Sequence, residues 1–214
     1  MEKRVTPAPA SQPRRKLSAT ARRKQLVAIA MDLIAAKGFE GLRFQEVAQL
    51  AGINNATLAY HFAGKEELIM AVMQHLGEEF RKTPGRPTNR PTTALEELRL
   101  EFESVADLLR KRPKLFVVLT ELSLRSLRDP VMESVVTTLD RHWRRHLSEI
   151  VALGAKEGQF RKDIDADSMA VALMAQIKGI GFQALTGRLN PSDVERLILE
   201  IAHQTEDWLT REGG

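Results

Sequence analysis

The residues with the clearest chemical potential lie between positions 44 and 63, in the run FQEVAQLAGINNATLAYHFA. When the apolar positions after Gly52 are turned inward, short polar, small and flat side chains are left pointing outward. Amide and hydroxyl groups of this size suit the edges of base pairs and phosphate oxygens. The pattern therefore predicts contact with double-stranded DNA. The outward residues are Asn54, Asn55, Thr57, Ala59 and Tyr60.

Such a contact requires two short helices that cross steeply, the helix-turn-helix arrangement. The sequence predicts one helix over residues 44–50 and a second over 54–61. Gly52 supplies the backbone conformation that reverses the chain, and the small Ala48 lets the second helix pass over the first. Three apolar residues join the pair to the preceding helix: Val47, Ile53 and Leu58. The competing interpretation is a tight helical hairpin without a DNA-binding role.

Apolar residues recur at helical spacing along most of the chain, and no stretch alternates with the period of a strand. The sequence predicts an all-α protein with about nine helices. Capping boxes are predicted at Thr93 with Glu96 and at Ser192 with Glu195, and Asp129-Pro130 predicts a further helix start. The other helices are predicted over residues 18–38, 65–81, 93–111, from 113 onward, 130–156, 165–185 and 192–211.

The chain divides into three predicted parts. Residues 1–17 form a basic disordered arm, 18–81 form the DNA-binding domain with a connecting helix, and 92–214 form a helical effector-binding and dimerisation domain. The boundary is the proline-rich run KTPGRPTNRP at 82–91, which cannot continue a helix. Residues 1–24 carry eight cations and one acid. This positive charge favours contact with DNA phosphates, although a solubilising tail would have the same composition.

Several function classes are disfavoured by what the sequence lacks. It contains no cysteine, and neither a phosphate-binding loop nor a nucleophile motif is found. His142 and His146 lie one helical turn apart among arginines, which disfavours a metal ion, and Glu96, Glu97, Glu101 and Glu103 are interpreted as an exposed helical face. We therefore expect a cytoplasmic protein that is not an enzyme, with no cofactor, no metal and no membrane partner.

Residues 22–72 resemble the TetR family of transcriptional regulators. The resemblance rests on RRKQLVAIAMDLIAAKGFEGLRFQEVAQLAGINNATLAYHFAGKEELIMAV. A Gly38-Phe39 pair ends the first helix and is followed by Val-Ala, Ala-Gly-Ile, Thr-Leu, His-Phe and Lys-Glu-Glu-Leu at familiar spacing. The resemblance implies a three-helix DNA-binding head, a connecting helix and a five-helix domain for ligand and dimerisation.

The resemblance also implies roles for individual residues. Asn54, Asn55 and Thr57 would face the operator, Gln45 would reach a base or the backbone, and His61 and Lys65 would bind phosphate. The sequence departs from the family at two positions. Position 44 is Phe where threonine often caps the helix, and position 59 is Ala where a tyrosine usually contacts phosphate. Tyr60 would replace that tyrosine only from another direction, and the backbone anchoring would rely more on Arg43, Lys65 and the basic arm.

The last two predicted helices are candidates for a homodimer interface. The first carries small residues that allow close approach, and the second carries a broad apolar face, although both stripes also suit packing within one chain. The resemblance further implies an unidentified small-molecule effector of largely apolar character. Its candidate pocket consists of Phe102, Phe116, Leu119, Leu139, Trp143, Met174, Ile177 and Phe182. Core packing is the competing role for most of these residues.

The resemblance implies a repressor that a small-molecule effector releases from a palindromic operator. The alternative is an all-helical binding protein whose basic surface meets a protein or a membrane, without preference among DNA sequences.

Overall fold

The computed structural model describes residues 17–81 and 93–211, which form nine α-helices and no strand. The predicted basic arm before Leu17 and the predicted linker 82–91 lie outside the described residues. The helices are α1 Ala19–Lys37, α2 Phe44–Leu50, α3 Asn55–His61, α4 Lys65–Arg81, α5 Ala94–Lys111, α6 Pro113–Ser126, α7 Pro130–Glu157, α8 Ala166–Leu185 and α9 Pro191–Thr210.

Most helix boundaries follow from capping residues that are visible in the sequence. The Thr93 hydroxyl accepts from the backbone N–H of Glu96, whose carboxylate accepts from the N–H of Thr93, so the predicted capping box is confirmed. Asp129 caps α7 ahead of Pro130, as predicted. At the other end of α7, Gly158 adopts the left-handed conformation with φ 74 and ψ 14.

Two predicted details of the helix ends are wrong. The helix α9 is capped by Asn190, whose side-chain oxygen accepts from the N–H of Asp193, and the capping box of Ser192 with Glu195 does not form. The reason is that Pro191 is suited to the first helical position, which makes Asn190 the cap. At the end of α1, Gly38 has the expected positive φ of 71, but its ψ of 173 is extended rather than left-handed helical.

Two buried clusters form the interior, and they do not divide at the predicted linker. The first cluster, which we call the head core, contains residues of α1 to α4, of α6 and of the first two turns of α7. The second, the body core, contains residues of α5, the later turns of α7, α8 and α9. Because Leu115, Val118 and Leu122 of α6 belong to the head core, α6 packs with α1 to α4 rather than only with its neighbours in sequence.

The connecting helix α4 reaches α6 through two further contacts. The rings of Phe80 and Phe116 meet edge to face with centroids 5.5 Å apart. The carboxylate of Glu79, which is 4% exposed, pairs with Arg112 at the junction of α5 and α6. Pairing with Arg112 makes the burial of this carboxylate tolerable. The contact also holds the end of α4 against the junction of α5 and α6.

The helix α8 is the one described helix that is long and apolar enough to cross a membrane, by length and composition alone. A core helix can pass the same test. One face of α8, with Ala170, Leu173 and Ile177, is buried in the body core. The opposite face leaves Val171 and Phe182 exposed. This uncovered apolar face is the feature of α8 that needs an explanation.

Candidate nucleic-acid interface

The turn between α2 and α3 has the geometry that the sequence predicts. Gly52 has φ 65, a conformation that residues with a Cβ adopt at a cost. The N–H of Ile53 donates to the carbonyl of Ala48 over 3.0 Å, which closes the turn onto α2. Ala48 is 1% exposed and Leu58 is fully buried, so the two short helices pack tightly across these positions.

The outward face of α3 is open to solvent. Asn55, Thr57 and Tyr60 are exposed, and Tyr60 exposes 83% of its surface. Ala56 and Ala59 are exposed as well, so the helix backbone between the longer side chains is within reach of a partner. Nothing in the described part of the chain covers this face, and a duplex can approach it.

Asn54 lies one position before α3 rather than inside it, which corrects the predicted helix start by one residue. Its side-chain oxygen accepts from the N–H of Thr57 over 2.8 Å. The oxygen therefore satisfies one of the free N–H groups at the start of the helix. Asn55 and Thr57 are left as the polar side chains of α3 proper.

The predicted residues at the start of α2 are also exposed. Arg43 is the N-cap residue, but its side chain makes no capping bond, and Gln45, two residues further on, is exposed to solvent. Phe44 is half-buried and packs against the head core. With Phe rather than threonine at position 44, the residue packs against the head core instead of capping α2. Arg43 is then the cation at the start of α2.

His61 and Lys65 flank the turn that leads from α3 to α4, and both are half-buried. The His61 ring lies edge-on to Tyr60, with centroids 5.2 Å apart. The ammonium of Lys65, the first residue of α4, lies 4.8 Å from the centre of the Phe39 ring and 3.5 Å from the Phe39 carbonyl oxygen. Lys65 is thus held near the α3–α4 turn.

Sequence reasoning missed the residues that lock this turn. The guanidinium of Arg23 donates to the carbonyl of His61, stacks 4.1 Å from the centre of the Phe62 ring, and pairs with Glu67 over 3.0 Å. Glu67 in turn accepts from the N–H of Ala63 over 2.8 Å. The contacts of Arg23 join residues 38 and 44 positions apart in sequence, so no local pattern identifies them.

The environment of Glu67 favours its ionised form. The N–H of Ala63 donates to the carboxylate and lowers the pKa of Glu67, and the hydrogen bond from Arg23 lowers it further. The charge of Glu67 is therefore maintained at neutral pH. It holds the start of α4 against the end of α3.

The eight residues predicted to line a ligand pocket differ in burial and in the core that they join. Phe102, Met174 and Ile177 are buried in the body core, whereas Leu139 packs against the head core. Phe182 is 49% exposed and does not point inward. It lies about 140° around the helix from the buried Ile177, since five residues advance an α-helix by that angle beyond a full turn. The remaining three, Phe116, Leu119 and Trp143, are half-buried.

A groove of about 520 Å³ lies elsewhere, on the outer side of α8 and α9. None of the eight predicted pocket residues lines it. Its floor combines small and apolar residues with Trp208, which is 46% exposed. The lining residues are Arg161, Asp163, Ile164, Asp165, Ser168, Met169, Ala172, Gln176, Ile201, Gln204, Thr205 and Trp208.

The interpretation of Glu101 as part of an exposed face is wrong. Its side chain is 12% exposed, and it accepts from the indole N–H of Trp143 over 2.7 Å. The His146 ring lies 3.4 Å from the other carboxylate oxygen. The indole needs an acceptor once it is half-buried, and Glu101 supplies one across the α5–α7 interface.

A pair of short helices, a closed glycine turn and an uncovered polar second helix define a helix-turn-helix DNA-binding protein. Two family models match the chain: "Bacterial regulatory proteins, tetR family" over residues 26–72, and "BetI-type transcriptional repressor, C-terminal" over residues 94–205. The second covers just over half of the chain. The protein belongs to the tetR family of bacterial regulatory proteins.

Individual relatives agree with this assignment. The chain is 24% identical over 167 residues to the HTH-type transcriptional regulator CymR of Pseudomonas putida, which covers 75% of this chain and 78% of CymR. It is 25% identical over 146 residues to the repressor KstR2 of Mycolicibacterium smegmatis, covering 68% and 71%. The fold matches a regulator of Saccharomonospora viridis solved with choline, with a TM-score of 0.73 and 24% identity, covering 86% and 96%.

The comparisons identify the protein as a DNA-binding transcriptional regulator and not an enzyme. They favour this function over the alternative of a helical binding protein without sequence-specific DNA binding. The all-α fold with a helix-turn-helix head is confirmed, and so is the family resemblance.

Proposed function

We propose that the protein is a homodimeric repressor that binds a near-palindromic operator through α3 of each protomer and leaves it when a small-molecule effector binds. The observation that carries this proposal is the contrast within α3, where Leu58 is fully buried and Tyr60 is 83% exposed. One side of the helix is fixed to the head, and the other is free to enter a major groove.

Within each half-site, Asn55 and Thr57 are proposed to contact base edges. Asn54, whose side-chain amide caps the helix, is proposed to lie next to the same bases. Contacts to the DNA backbone are proposed on both sides of these residues. They would come from Arg43 and Gln45 on one side, and from Tyr60, His61 and Lys65 on the other. Tyr60 would make its contact from the position after Ala59. Because phosphate contacts set the register, they orient α3 without reading the sequence themselves.

The dimer is proposed to form through the outer faces of α8 and α9. On α8, Ala172, Ala175, Gly179 and Phe182 are exposed at helical spacing, and the space outside Gly179 is open to beyond 4 Å. On α9, Trp208 is exposed beside the groove. A second copy of this surface would cover both faces and place two heads on half-sites about 34–36 Å apart, or at multiples of that spacing.

On α9 the competing role of packing within one chain holds for part of the predicted apolar face. Val194, Ile198 and Leu209 are buried in the body core. Ile201 is half-buried and lines the groove together with Trp208. The surface that we propose for the dimer is therefore narrower than the apolar stripe in the sequence.

The effector is proposed to be a small molecule that binds within the body. The S. viridis regulator was solved in complex with choline, and the BetI-type repressor model matches residues 94–205 of this chain. Phe102 and Trp143 lie on α5 and α7, where Glu101 places a carboxylate beside the indole. An effector that binds the body more tightly when the heads are apart would favour release from the operator.

Selection of binding sites from random duplex DNA with the purified full chain tests the proposal. We expect enrichment of a near-palindrome whose half-sites are one or two helical turns apart. A selected pool with no shared motif would contradict sequence-specific regulation. A motif that occurs once, without a symmetric partner, would contradict binding as a two-fold dimer.

A further inference from the structure

The three-residue 3-10 turn Phe39–Gly41 lies between α1 and α2 and has little structure of its own to hold it. Two backbone hydrogen bonds close it, from Gly41 to Gly38 and from Leu42 to Phe39. The turn leads within two residues into Arg43 at the start of α2. Its position therefore helps to decide where the first DNA-facing residues of α2 lie.

The turn is anchored from α6. A carboxylate oxygen of Glu121 accepts from the backbone N–H of Phe39 over 3.1 Å, a contact between residues 82 positions apart. The same oxygen would lie 3.2 Å from a methyl group placed on Gly38, so the carboxylate is seated directly against the turn. A glycine at position 38 leaves room for this approach.

The ring of Phe39 is held between two cations from different parts of the fold. The Arg125 guanidinium of α6 lies 5.0 Å from the ring centre, and the Lys65 ammonium of α4 lies 4.8 Å from it. Both distances are within the range of a cation–π interaction. Arg125 also pairs with Glu40 over 3.3 Å, a second contact between α6 and the turn.

These contacts make a continuous chain from α6 to the Lys65 ammonium. Lys65 depends on Phe39 for both of its described partners, the ring and the carbonyl oxygen. Phe39 in turn depends on Glu121 and Arg125. A lysine that is held before it meets DNA loses less side-chain freedom when it binds.

We propose that Glu121 and Arg125 are positioning residues for DNA binding. They do not touch DNA, and they act by holding the Phe39–Gly41 turn where it orients Lys65 and Arg43 toward the duplex. The inference rests on the proposed phosphate contacts of those two residues. It also links α6, whose apolar residues lie in the head core, through Phe39 to a side chain that is proposed to contact DNA.

The test compares Glu121→Ala with Glu149→Ala in the full chain, using operator affinity at several salt concentrations. Both variants remove one negative charge, which on Coulomb grounds alone tightens binding to DNA. Glu149 is exposed on α7 and serves as the matched control. We expect Glu149→Ala to bind equally or slightly more tightly, and Glu121→Ala to bind about fivefold to twentyfold more weakly with a flatter salt dependence.

Two further variants separate positioning from a general loss of structure. Glu121→Gln keeps an oxygen that accepts from Phe39, so we expect it to retain most of the affinity. Phe39→Leu keeps apolar bulk but removes the ring from Lys65, and we expect it to flatten the salt dependence while the melting temperature changes little. In a Lys65→Ala background, Glu121→Ala should cost less than in the native chain.

The outcomes distinguish this inference from the proposed function. If Lys65→Ala weakens binding but Glu121→Ala and Phe39→Leu leave affinity and salt dependence unchanged, the positioning role is wrong and the phosphate contact stands. If Lys65→Ala itself changes neither quantity, the proposed phosphate contact is wrong. Loss of affinity in Glu121→Gln equal to that in Glu121→Ala would also contradict the hydrogen bond as the cause.

Discussion

The head and the body of this protein present opposite kinds of surface. The head places its functional side chains on a seven-residue helix whose inner side is fixed by a fully buried leucine, and its outer side is polar and open. The body core is built from helices of 18 to 28 residues and leaves apolar side chains uncovered on α8 and α9. The head therefore matches a polar partner, and the body matches another apolar surface.

The two regions also differ in how their sites are built. The residues that we propose to face DNA come mainly from one run of about twenty positions, so their spacing in sequence sets their spacing in space. A site in the body needs side chains from α5, α6, α7 and α8, which are brought together only by packing. Variants that disturb one region and spare the other test whether this division is real.

Ala48→Leu should have the largest effect, because it places a larger side chain where α3 crosses α2. Overpacking of this kind costs roughly 1–3 kcal/mol and displaces α3. We expect operator binding to fall toward the non-specific level, roughly a thousandfold or more, as measured by fluorescence anisotropy. The control is Ala152→Leu, which adds the same bulk at an exposed position of α7. Equal affinities for the two variants would contradict the proposed role of the α2–α3 crossing.

Gly179→Leu makes the corresponding change in the body. In the single chain a side chain at this position meets open space, so the fold should be unaffected. If α8 packs against its counterpart, the added bulk separates the protomers and weakens operator binding by at least tenfold, since one head reads too few base pairs. Sedimentation velocity would show monomer, with Ala152→Leu again as the control. An unchanged dimer would place the interface elsewhere.

Asn55→Ala and Lys65→Ala distinguish base contacts from phosphate contacts within the head surface. Loss of a bidentate base contact costs about 1–3 kcal/mol at the base pair concerned, so Asn55→Ala should relax the preference at particular positions. Lys65→Ala should weaken binding to all sequences alike and reduce the salt slope by about 0.9 for each head. Competition with single-base operator variants measures the first effect, and a salt titration measures the second. The assignments would be reversed if Lys65→Ala changed the preferred sequence.

The basic arm is proposed to add phosphate contacts next to the head, although it lies outside the described residues. The arm joins α1 close to Arg23, which contacts the α3–α4 turn. Replacing Arg14, Arg15 and Lys16 by glutamine should weaken binding roughly tenfold at low salt, without changing the preferred sequence.

Its matched control replaces the exposed α7 residues Arg141, Arg145 and Lys156 by glutamine, with the same loss of charge. We expect this control to bind almost as tightly as the native protein. Equal losses in the two triple variants would indicate a general effect of net charge rather than contact by the arm.

The smallest effect concerns Glu67. Its lowered pKa means that its contribution to stability is fully present above the ordinary pKa of glutamate and is lost as the pH falls through the lowered value. Glu67→Gln should therefore be slightly less stable than the native protein at neutral pH, and the difference should vanish in acid. Melting temperatures between neutral pH and about pH 3 measure this. A difference that stayed constant with pH would mean that the charge of Glu67 does not stabilise the α3–α4 turn.

Much of the fold could be predicted because the signals are local. A capping residue is followed within three positions by its partner, as at Thr93 and Glu96, and a proline after Asp129 fixes a helix start. The error at α9 has the same origin. Ser192 with Glu195 satisfies one local rule, but Asn190 followed by Pro191 satisfies a stronger one.

What could not be predicted depends on packing between distant residues. Nothing near Arg23 in sequence indicates that it meets Glu67, and Glu101 is surrounded by glutamates that suggest solvent rather than an indole partner. The pocket prediction depends on packing of the same kind. Apolar residues at helical spacing indicate which face is buried, but they do not indicate against which neighbour, so Leu139 and Phe102 belong to different cores.

The placement of the aromatic residues gives the two regions separate spectroscopic reporters. The sequence has a single tyrosine, on the exposed face of α3, whereas its two tryptophans lie on α7 and α9. Fluorotyrosine incorporation would give one resonance, from Tyr60, and its shift would follow engagement of the groove. Indole emission, excited selectively, would follow events in the body. Communication between effector and operator could then be timed within one sample, without attaching a dye.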